Sequence, residues 1–324
     1  MRTSPVFTKS VAGAVLVFTA AIASAQSYPS RVVRMVVAYP PGGSIDVVAR
    51  LVNQRLTTAF GHQFIIDNRA GAAGNIGTDY VAKAANDGYT LLMGSAASIS
   101  SAPAVYAKLP YDPVRDLAPI IQVANQPNVL TAHPSVPART LKEFIALAKA
   151  NPGKFNYGSS GIGASQHMTA ELFAMLTGVK IEHIPYKGGT PAMTDLISGQ
   201  IDFMFTPAPN AIAFVKSGKI RGIAVTSLKR SSALPELPTM DESGLKGFEL
   251  LGWIGLLGPS GTPREIVDRL NAEINKMLAG DIRPRLTELG LDAVGGTPEQ
   301  FAAFIRQDIA KYAKIVKVAR IPPQ

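Results

Sequence analysis

Short apolar runs alternate with amphipathic stretches along most of the chain. The apolar runs lie between turn residues, as is typical of buried strands, whereas the amphipathic stretches have helical periodicity. The strands are predicted at 32–38, 63–67, 89–93, 119–124, 127–132, 154–158, 180–184, 201–205, 220–226 and 250–258. The helices are predicted at 44–59, 75–86, 140–150, 165–177, 189–198, 209–217, 263–279 and 298–318. This alternation predicts an α/β fold with mainly parallel sheets covered on both faces.

Several helix boundaries are marked by particular residues. Three threonines stand three positions before a glutamate or glutamine, which is the spacing of a capping box. These pairs are Thr140 with Glu143, Thr262 with Glu265, and Thr297 with Gln300. In the latter two, a proline follows at the expected first helical position. Gly61 and Gly178 are expected to end the helices before them.

Two segments interrupt the alternation and predict crossings between two lobes. At 123–127 one apolar run ends and another begins, and at 226–238 a strand gives way to a polar segment with prolines. Lobe 2 would then be residues 126–229, and lobe 1 would combine 26–125 with 230–324. Two doubly wound lobes joined by a two-crossing hinge form a clamp, with the ligand at the strand ends that face the cleft.

The first 25 residues predict export. Arg2 and Lys9 provide a basic start, an apolar run follows, and Ala23-Ser24-Ala25 forms an A-x-A cleavage site. The apolar run is shorter than the roughly 20 residues that a membrane-spanning helix needs. We therefore expect a signal peptide over residues 1–25, cleavage after Ala25, and a soluble mature protein in the periplasm.

Composition narrows the function classes. The chain has 324 residues and no cysteine, which excludes disulfides, thiolate metal sites and cysteine nucleophiles. The formal net charge of +9 favours attraction of anions, although the basic residues are spread along the chain. Nucleic-acid binding is not expected, because basic clusters with interleaved aromatic residues are missing from the sequence. We expect neither a metal nor a cofactor.

The segment 39–46, Tyr-Pro-Pro-Gly-Gly-Ser-Ile-Asp, joins a predicted strand to a predicted helix. Free backbone N–H groups at such a helix start suit a carboxylate or another small anion. Gly42 and Gly43 allow a ligand to approach the backbone closely. Similar turns are predicted at 94–95 and 158–163, so the chain is expected to hold a small anion between loops.

Five motifs follow one another between about residue 28 and the end of the chain. They are Pro40-Pro41-Gly42-Gly43-x-x-Asp46-x-x-Ala49-Arg50, Asp87-Gly88-Tyr89-Thr90-Leu91-Leu92, Tyr157-Gly158-Ser159-Ser160-Gly161-x-Gly163-x-Ser165-x-His167, Pro185-Tyr186-Lys187-Gly188-Gly189-x-Pro191-Ala192 and Leu237-Pro238-Thr239-x-x-Glu242-x-Gly244. In this order and spacing the chain resembles the extracytoplasmic solute-binding receptors of tripartite tricarboxylate transporters, the Bug-type periplasmic binding proteins. Asn86 and Ala164 depart from residues common in that family, and Ala164 removes one possible hydroxyl contact.

The resemblance implies a receptor of Venus-flytrap architecture that captures a small carboxylate and delivers it to a two-component membrane permease. The family's ligands are di- and tricarboxylates, acidic amino acids and aromatic acids. The implied ligand-binding residues are Tyr39, Gly42, Gly43, Ser44, Gly94 and Ser95 from one lobe and Ser159, Ser160, Gly163, Ala164 and Ser165 from the other. Ser165 is also expected to cap its helix. We expect a monomer.

Other conspicuous residues have structural interpretations, some of them beside a functional one. Asp46 is expected to support the first helix start, where a carboxylate favours the positive helix end. His167 either contacts the anion or packs under the serine-rich loop, and Tyr186 and Phe203 belong either to a pocket or to the core. Three histidines, His62, His133 and His183, are expected to be isolated. Lys187 is expected to be a solvated turn residue, and Trp253 a core residue.

Two other function classes were compared with the receptor. A sensory receptor that presents its ligand to a membrane kinase would use the same clamp, so sequence leaves it open. An exported hydrolase is disfavoured, because Gly158-Ser159-Ser160-Gly161 lacks the G-x-S-x-G spacing. No catalytic residue is expected.

Overall fold

The structure is a computed structural model that describes residues 28–324. The predicted signal peptide and its cleavage site lie outside the described residues. The strands are β1 Val33–Val37, β2 Phe64–Asn68, β3 Thr90–Ser95, β4 Leu117–Gln126, β5 Asn128–Ala132, β6 Asn156–Ser159, β7 Glu182–Pro185, β8 Phe203–Pro207, β9 Arg221–Val225, β10 Gly252–Pro259 and β11 Asp292–Ala293. The helices are α1 Ser44–Phe60, α2 Asn75–Ala82, α3 Ala102–Val105, α4 Leu141–Ala150, α5 Ser165–Thr177, α6 Gly189–Ser198, α7 Ala208–Lys216, α8 Arg264–Ala279, α9 Ile282–Glu288 and α10 Pro298–Ala319. Every predicted strand and helix is present within a few residues of its predicted ends.

The strands form two sheets, one in the order β11-β4-β10-β3-β1-β2 and the other in the order β7-β6-β8-β5-β9. Both sheets are mixed, so the prediction of mainly parallel sheets was wrong. In the first sheet β10 runs antiparallel to β3 and β4. In the second sheet β5 runs antiparallel to β8 and β9.

Strand β11 also runs antiparallel to its neighbour β4, but β5 and β10 are the strands that follow a passage of the chain from one sheet to the other. Strand β4 ends at Gln126, Pro127 makes the passage, and β5 begins at Asn128. The strands that neighbour β5 and β10 end at the cleft between the sheets. A strand that has just crossed the cleft begins there and runs away from it. The direction of β5 and β10 is therefore a consequence of the two crossings.

The contacts of residues 230–248 bear on the position of the second crossing. Leu234 and Leu237 pack with Val225 of the second sheet, and Phe248 packs in the cluster that contains Phe203. The next strand of the first sheet begins only at Gly252. We therefore propose that the second hinge segment lies near 249–252 and that the second lobe extends past the predicted limit of 229.

Local signals explain most helix ends. The predicted capping boxes at Thr140 and Thr297 are confirmed, and Gly61 and Gly178 end α1 and α5 in the left-handed conformation. The third box was wrong, because the Thr262 hydroxyl donates to the carbonyl of Pro259 and α8 begins only after Pro263. Three further elements have no counterpart among the predicted ones: α9, β11 and a π-helical turn at Ala97–Ser101 that runs into α3.

Each sheet has its own apolar core. Trp253, Phe301 and Tyr312 belong to the core of the first sheet, and Phe144 and Phe203 to that of the second. Trp253 is thus a buried core residue, as predicted, and Phe203 is one too, as one of its two interpretations predicted. Among residues 28–324, no helix combines the length and the apolar character that crossing a membrane requires.

Candidate functional site

A cavity lies between the two sheets, at the cleft ends of their strands. The space between the atoms of its wall amounts to about 530 Å³, part of it open to solvent. Its wall comes from both sheets and from the loops that follow their strands. The lining residues are Tyr39, Pro40, Gly43, Ser44, Ile45, Ser95, Ala96, Ala97, Gln126, Ser160, Ala164, Ser165, Gln166, Gly189, Thr190, Pro207, Asn210, Gly252 and Trp253.

Four helices begin at this wall. The lining includes Ser44 of α1, Ser165 of α5, Gly189 of α6 and Asn210 of α7, each within the first turn of its helix. None of the four has a side-chain cap, so first-turn N–H groups that lack a partner within the helix remain available to a ligand. Helices α2 and α8 also lack side-chain caps, so a missing cap alone does not mark a binding site. The feature that marks this cavity is that four such helix starts line it together.

The helix starts favour an anion at this wall. A helix N-terminus carries roughly half a positive charge, and first-turn residues of four helices line this one space. The described lining residues include no Asp, Glu, Lys, Arg or His. An anion placed here would be stabilised by backbone dipoles and by hydroxyl and amide groups.

Asp46 organises the loop in front of α1. Its side chain is buried and accepts hydrogen bonds from the Gly42 N–H at 2.9 Å, Arg50 Nε at 2.8 Å and Asn68 Nδ2 at 2.9 Å. Burial raises the pKa of Asp46, but the hydrogen bonds from Arg50, Gly42 and Asn68 outweigh that effect and hold the pKa below its ordinary value. The carboxylate thus holds the loop in place, and it does not itself line the cavity.

The model of the tripartite tricarboxylate transporter family receptor, TctC, matches residues 48–321. The chain belongs to this receptor family. The resemblance seen in the five sequence motifs is therefore confirmed.

Solved structures similar to this receptor have the same fold. The R. palustris protein Rpa4515, solved with adipate, has 37% sequence identity and a TM-score of 0.90, and the match covers 92% of this chain and 100% of that one. The periplasmic binding protein BugD has 38% identity and a TM-score of 0.87, with 92% and 100% coverage. MatC of Rhodopseudomonas palustris with bound malate has 32% identity and a TM-score of 0.85, with 89% and 100% coverage. The predicted α/β two-lobe architecture is thereby confirmed.

The structure brings seven of the eleven predicted ligand-binding residues of this receptor to the cavity. They are Tyr39, Gly43, Ser44, Ser95, Ser160, Ala164 and Ser165. The other four, Gly42, Gly94, Ser159 and Gly163, are not among the lining residues.

Gly42 and Gly94 have structural roles, one in the backbone conformation of a loop and the other in core packing. Gly42 has a φ of 78° and Gly43 a φ of −71°, so only Gly42 needs the left-handed conformation that glycine tolerates. Gly94 lies inside β3 instead of in the predicted turn. A Cβ atom there would lie 2.7 Å from Leu257 Cδ1, so this glycine allows close packing between strands.

Ser159 supports the loop between β6 and α5 through buried hydrogen bonds. It is fully buried, and its Oγ lies 2.6 Å from His183 Nε2 and 3.0 Å from the Gly161 carbonyl oxygen. The next residue, Ser160, borders the cavity, since successive side chains of an extended chain point to opposite faces. Ser165 also borders it but is not the N-cap of α5, because that position is Ala164 and no side chain caps the helix.

Two histidines stack beneath this loop, His167 buried and His183 half-buried. His183 stacks on Tyr157 at 4.8 Å and on His167 at 4.2 Å between ring centroids, so the prediction that His183 is isolated was wrong. His167 Nδ1 accepts a hydrogen bond from the Gly163 N–H at 3.1 Å, which supports packing under the loop. Burial, together with repulsion from His183, lowers the pKa of His167 to about 3, and burial lowers that of His183 to about 4. Both rings are neutral near pH 7.

Other elements contribute lining residues that the sequence did not predict. Gln126 ends β4, Thr190 and Asn210 lie in the first turns of α6 and α7, and Trp253 lies at the start of β10. Trp253 is a core residue whose indole N–H donates to Asp308 Oδ2 at 2.8 Å. The turn residues Tyr186 and Lys187 lie outside the lining, and Lys187 is exposed. No group of three potential metal ligands occurs in residues 28–324.

Proposed function

We propose that this protein is a periplasmic receptor that captures a small carboxylate and delivers it to a membrane permease of the tripartite tricarboxylate type. The observation that carries the proposal is the convergence of four uncapped helix starts on a cavity without a charged side chain. Such a site favours a small anion that accepts several hydrogen bonds at once. A carboxylate has this property, because each of its two oxygens accepts more than one hydrogen bond.

The solved relatives support this class of ligand. Rpa4515 was solved with adipate and MatC with malate, and both ligands are carboxylates. The hydroxyls of Ser44, Ser95, Ser160 and Ser165 line the cavity and offer further hydrogen bonds. We infer that the protein binds its ligand without transforming it, since a buried Ser159 beside a neutral His183 lies outside the cavity wall.

Closure of the cleft is part of the proposal. Residues far apart in the chain meet at the rim, where Asn210 Nδ2 donates to the Gly42 carbonyl oxygen at 3.3 Å and the Tyr106 hydroxyl donates to the Ile162 carbonyl oxygen at 3.2 Å. A ligand that contacts both walls favours the state in which these contacts form. Addition of the ligand should therefore lower the radius of gyration in small-angle scattering.

A thermal-shift screen followed by calorimetric titration tests the binding step. Mono-, di- and tricarboxylates should be compared with their uncharged amides, because the amides keep the shape of the acid and remove its charge. We expect at least one acid to raise the melting temperature by mass action, and its amide to have little effect. If no acid binds, or if the amides bind equally well, the cavity is not a carboxylate site.

A second experiment tests the transport step. Cells that lack this receptor should lose uptake of the acid found in the screen, and the full-length chain with its leader should restore it. Restoration by a chain without residues 1–25 would contradict export to the periplasm. Unchanged uptake in the deletion strain would contradict delivery to a permease.

A further inference from the structure

The segment that joins β2 to α2 has a left-handed backbone. Gly71, Ala72, Ala73 and Gly74 have φ values of 136°, 46°, 52° and 96°. In this conformation the Cβ atom of an L-residue lies too close to the following carbonyl oxygen, so the two alanines are strained where glycines would not be. Within residues 28–324, Arg320 at the end of α10 is the only other non-glycine residue with a positive φ. Two of the three strained residues of the described chain are thus neighbours in this 71–74 turn.

The 71–74 turn contacts the opposite lobe through Ala73. The turn follows a strand of the first sheet, whereas Gly161 follows β6 of the second sheet. A Cβ atom on Gly161 would lie 3.3 Å from the Cβ atom and 3.4 Å from the backbone nitrogen of Ala73. The two backbones are therefore in direct contact across the cleft. This contact is lost when the two sheets move apart.

Ala73 also supports the wall of the cavity. Its carbonyl oxygen accepts a hydrogen bond from the Tyr39 hydroxyl at 2.7 Å, and the same hydroxyl lies 3.1 Å from Ser95 Oγ. Tyr39 and Ser95 are both buried and both belong to the lining. One strained residue thus connects the wall of the cavity with the contact between the lobes.

The strain of Ala73 requires support from its surroundings. A non-glycine residue keeps a left-handed conformation only where neighbouring groups hold it there. No side chain caps the turn, so the contacts of Ala73 with Tyr39 and Gly161 supply this support. The Tyr39 contact stays within the first lobe, whereas the Gly161 contact exists only while the cleft is closed.

We propose that the 71–74 turn is strained only in the closed form: closure presses Gly161 against Ala73 and keeps the turn left-handed, and opening lets the turn relax. The inference rests on the proposed function, because closure on a carboxylate is the event that the strain opposes. Part of the binding energy of the ligand is then used to hold the turn. The turn thereby keeps the ligand-free receptor open and favours release of the ligand.

Ala73→Gly removes the strain and keeps the carbonyl oxygen that accepts from Tyr39. The closed form should gain stability relative to the open form. The acid found in the screen should therefore bind about fivefold more tightly in calorimetric titration, the ratio that corresponds to about 1 kcal/mol.

Arg320→Gly is the matched control. Arg320 has a φ of 53°, but it is exposed at the end of α10 and does not line the cavity. The variant relieves the same kind of strain away from the cleft, so the dissociation constant should stay unchanged.

Gly161→Ala tests the other side of the contact. The new Cβ atom would press on Ala73, at a φ of 131° that L side chains rarely adopt, so closure and binding should both weaken. The loss should be smaller in a protein that already carries Ala73→Gly, because that change removes the Cβ atom in the way. Such non-additivity is the mark of two residues in contact.

A distance measurement tests the turn without any ligand. The chain has no cysteine, so spin labels can be placed by Lys83→Cys and Lys187→Cys, at two exposed positions on opposite lobes. In the ligand-free protein, Ala73→Gly should shift the distance distribution toward the separation in this structure. An unchanged distribution would overturn the inference.

The titrations and the distance measurement separate this inference from the proposed function. If the wild-type protein binds an acid but Ala73→Gly leaves its dissociation constant unchanged, the inference is overturned even where the melting temperature rises, because the strain is then present in the open form as well. Weaker binding by Ala73→Gly would also overturn it, since the turn would then serve only to position Tyr39. If no carboxylate binds the wild-type protein, the proposed function fails, and the distance measurement alone decides on the turn.

Discussion

Two adjacent glycines should respond in opposite ways to substitution. Gly43 is the N-cap of α1, borders the cavity, and has φ −71° and ψ 162°, which valine adopts readily. A Cβ atom there meets only the Pro40 carbonyl oxygen, at 3.5 Å. Gly43→Val should therefore fold, with a cost of at most about 1 kcal/mol for a poorer cap.

The same substitution should nearly abolish binding. The branched side chain would stand between the ligand and the first-turn N–H groups of α1. Loss of two hydrogen bonds to a charged group, at about 1.5–3 kcal/mol each, weakens binding at least about a hundredfold. This expectation rests on steric exclusion alone, because the backbone of Gly43 is not in the left-handed conformation.

Gly42→Ala is the contrasting variant. Its Cβ atom would meet nothing within 4 Å, but the left-handed conformation costs about 1–2 kcal/mol for a residue other than glycine. It should lower the melting temperature by about 2–4 °C for each kcal/mol and change affinity little, because Gly42 lies outside the lining. Lys187→Ala should change neither quantity.

Calorimetric titration with the acid found in the screen, together with thermal denaturation, measures both effects. The reasoning is refuted if Gly43→Val binds normally while Lys187→Ala is the most damaging variant. A charged side chain would then hold the anion in place of the backbone.

Three further predictions follow from the groups around the cavity. His167 has a folded-state pKa of about 3, below its ordinary value. Between about pH 6.5 and 3 the histidine is therefore protonated in the unfolded chain but not in the folded protein. The free energy of unfolding should fall as the pH drops through this range, by at most about 1.4 kcal/mol per pH unit for this histidine. His167→Asn keeps an acceptor for Gly163 and should reduce this slope in thermal melts; an unchanged slope would contradict the burial effect. Asp46→Asn should lower the melting temperature at pH 7, because the stability that the carboxylate provides is present above its unfolded-state pKa. The difference from the wild-type protein should shrink as the pH falls through the depressed pKa of Asp46. Equal losses at all pH values would argue against a charged Asp46. Ser159→Ala should destabilise the protein even without ligand, whereas Ser165→Ala should leave the melting temperature unchanged and weaken binding by about 0.5–1.5 kcal/mol; the reverse pattern would place Ser159 in the site.

The sequence predicted the elements well because their signals are local. Thr140 and Thr297 cap helices through residues three positions away, and Gly61 and Gly178 end helices through their own backbone freedom. The π-helical turn at Ala97–Ser101 was missed because its small and polar residues lack an apolar period. The directions of β5 and β10 depend on the two crossings, which no local pattern encodes.

Part of the site was predicted because its sequence signals are also local. The loop at 39–46 has a recognisable strand, glycine turn and helix start, and Gly43 and Ser44 line the cavity as predicted. Gln126 and Trp253 reach the cavity only through sheet pairing. His183 joins the stack because the register of β6 and β7 sets it opposite Tyr157, a pairing between strands far apart in the chain.

A structure with the bound acid tests the central claim most directly. The account predicts carboxylate oxygens about 2.7–3.2 Å from backbone N–H groups in the first turns of α1, α5, α6 or α7, with no arginine or lysine in contact. A carboxylate paired with a cationic side chain, or bound outside the cavity between the two sheets, would contradict it.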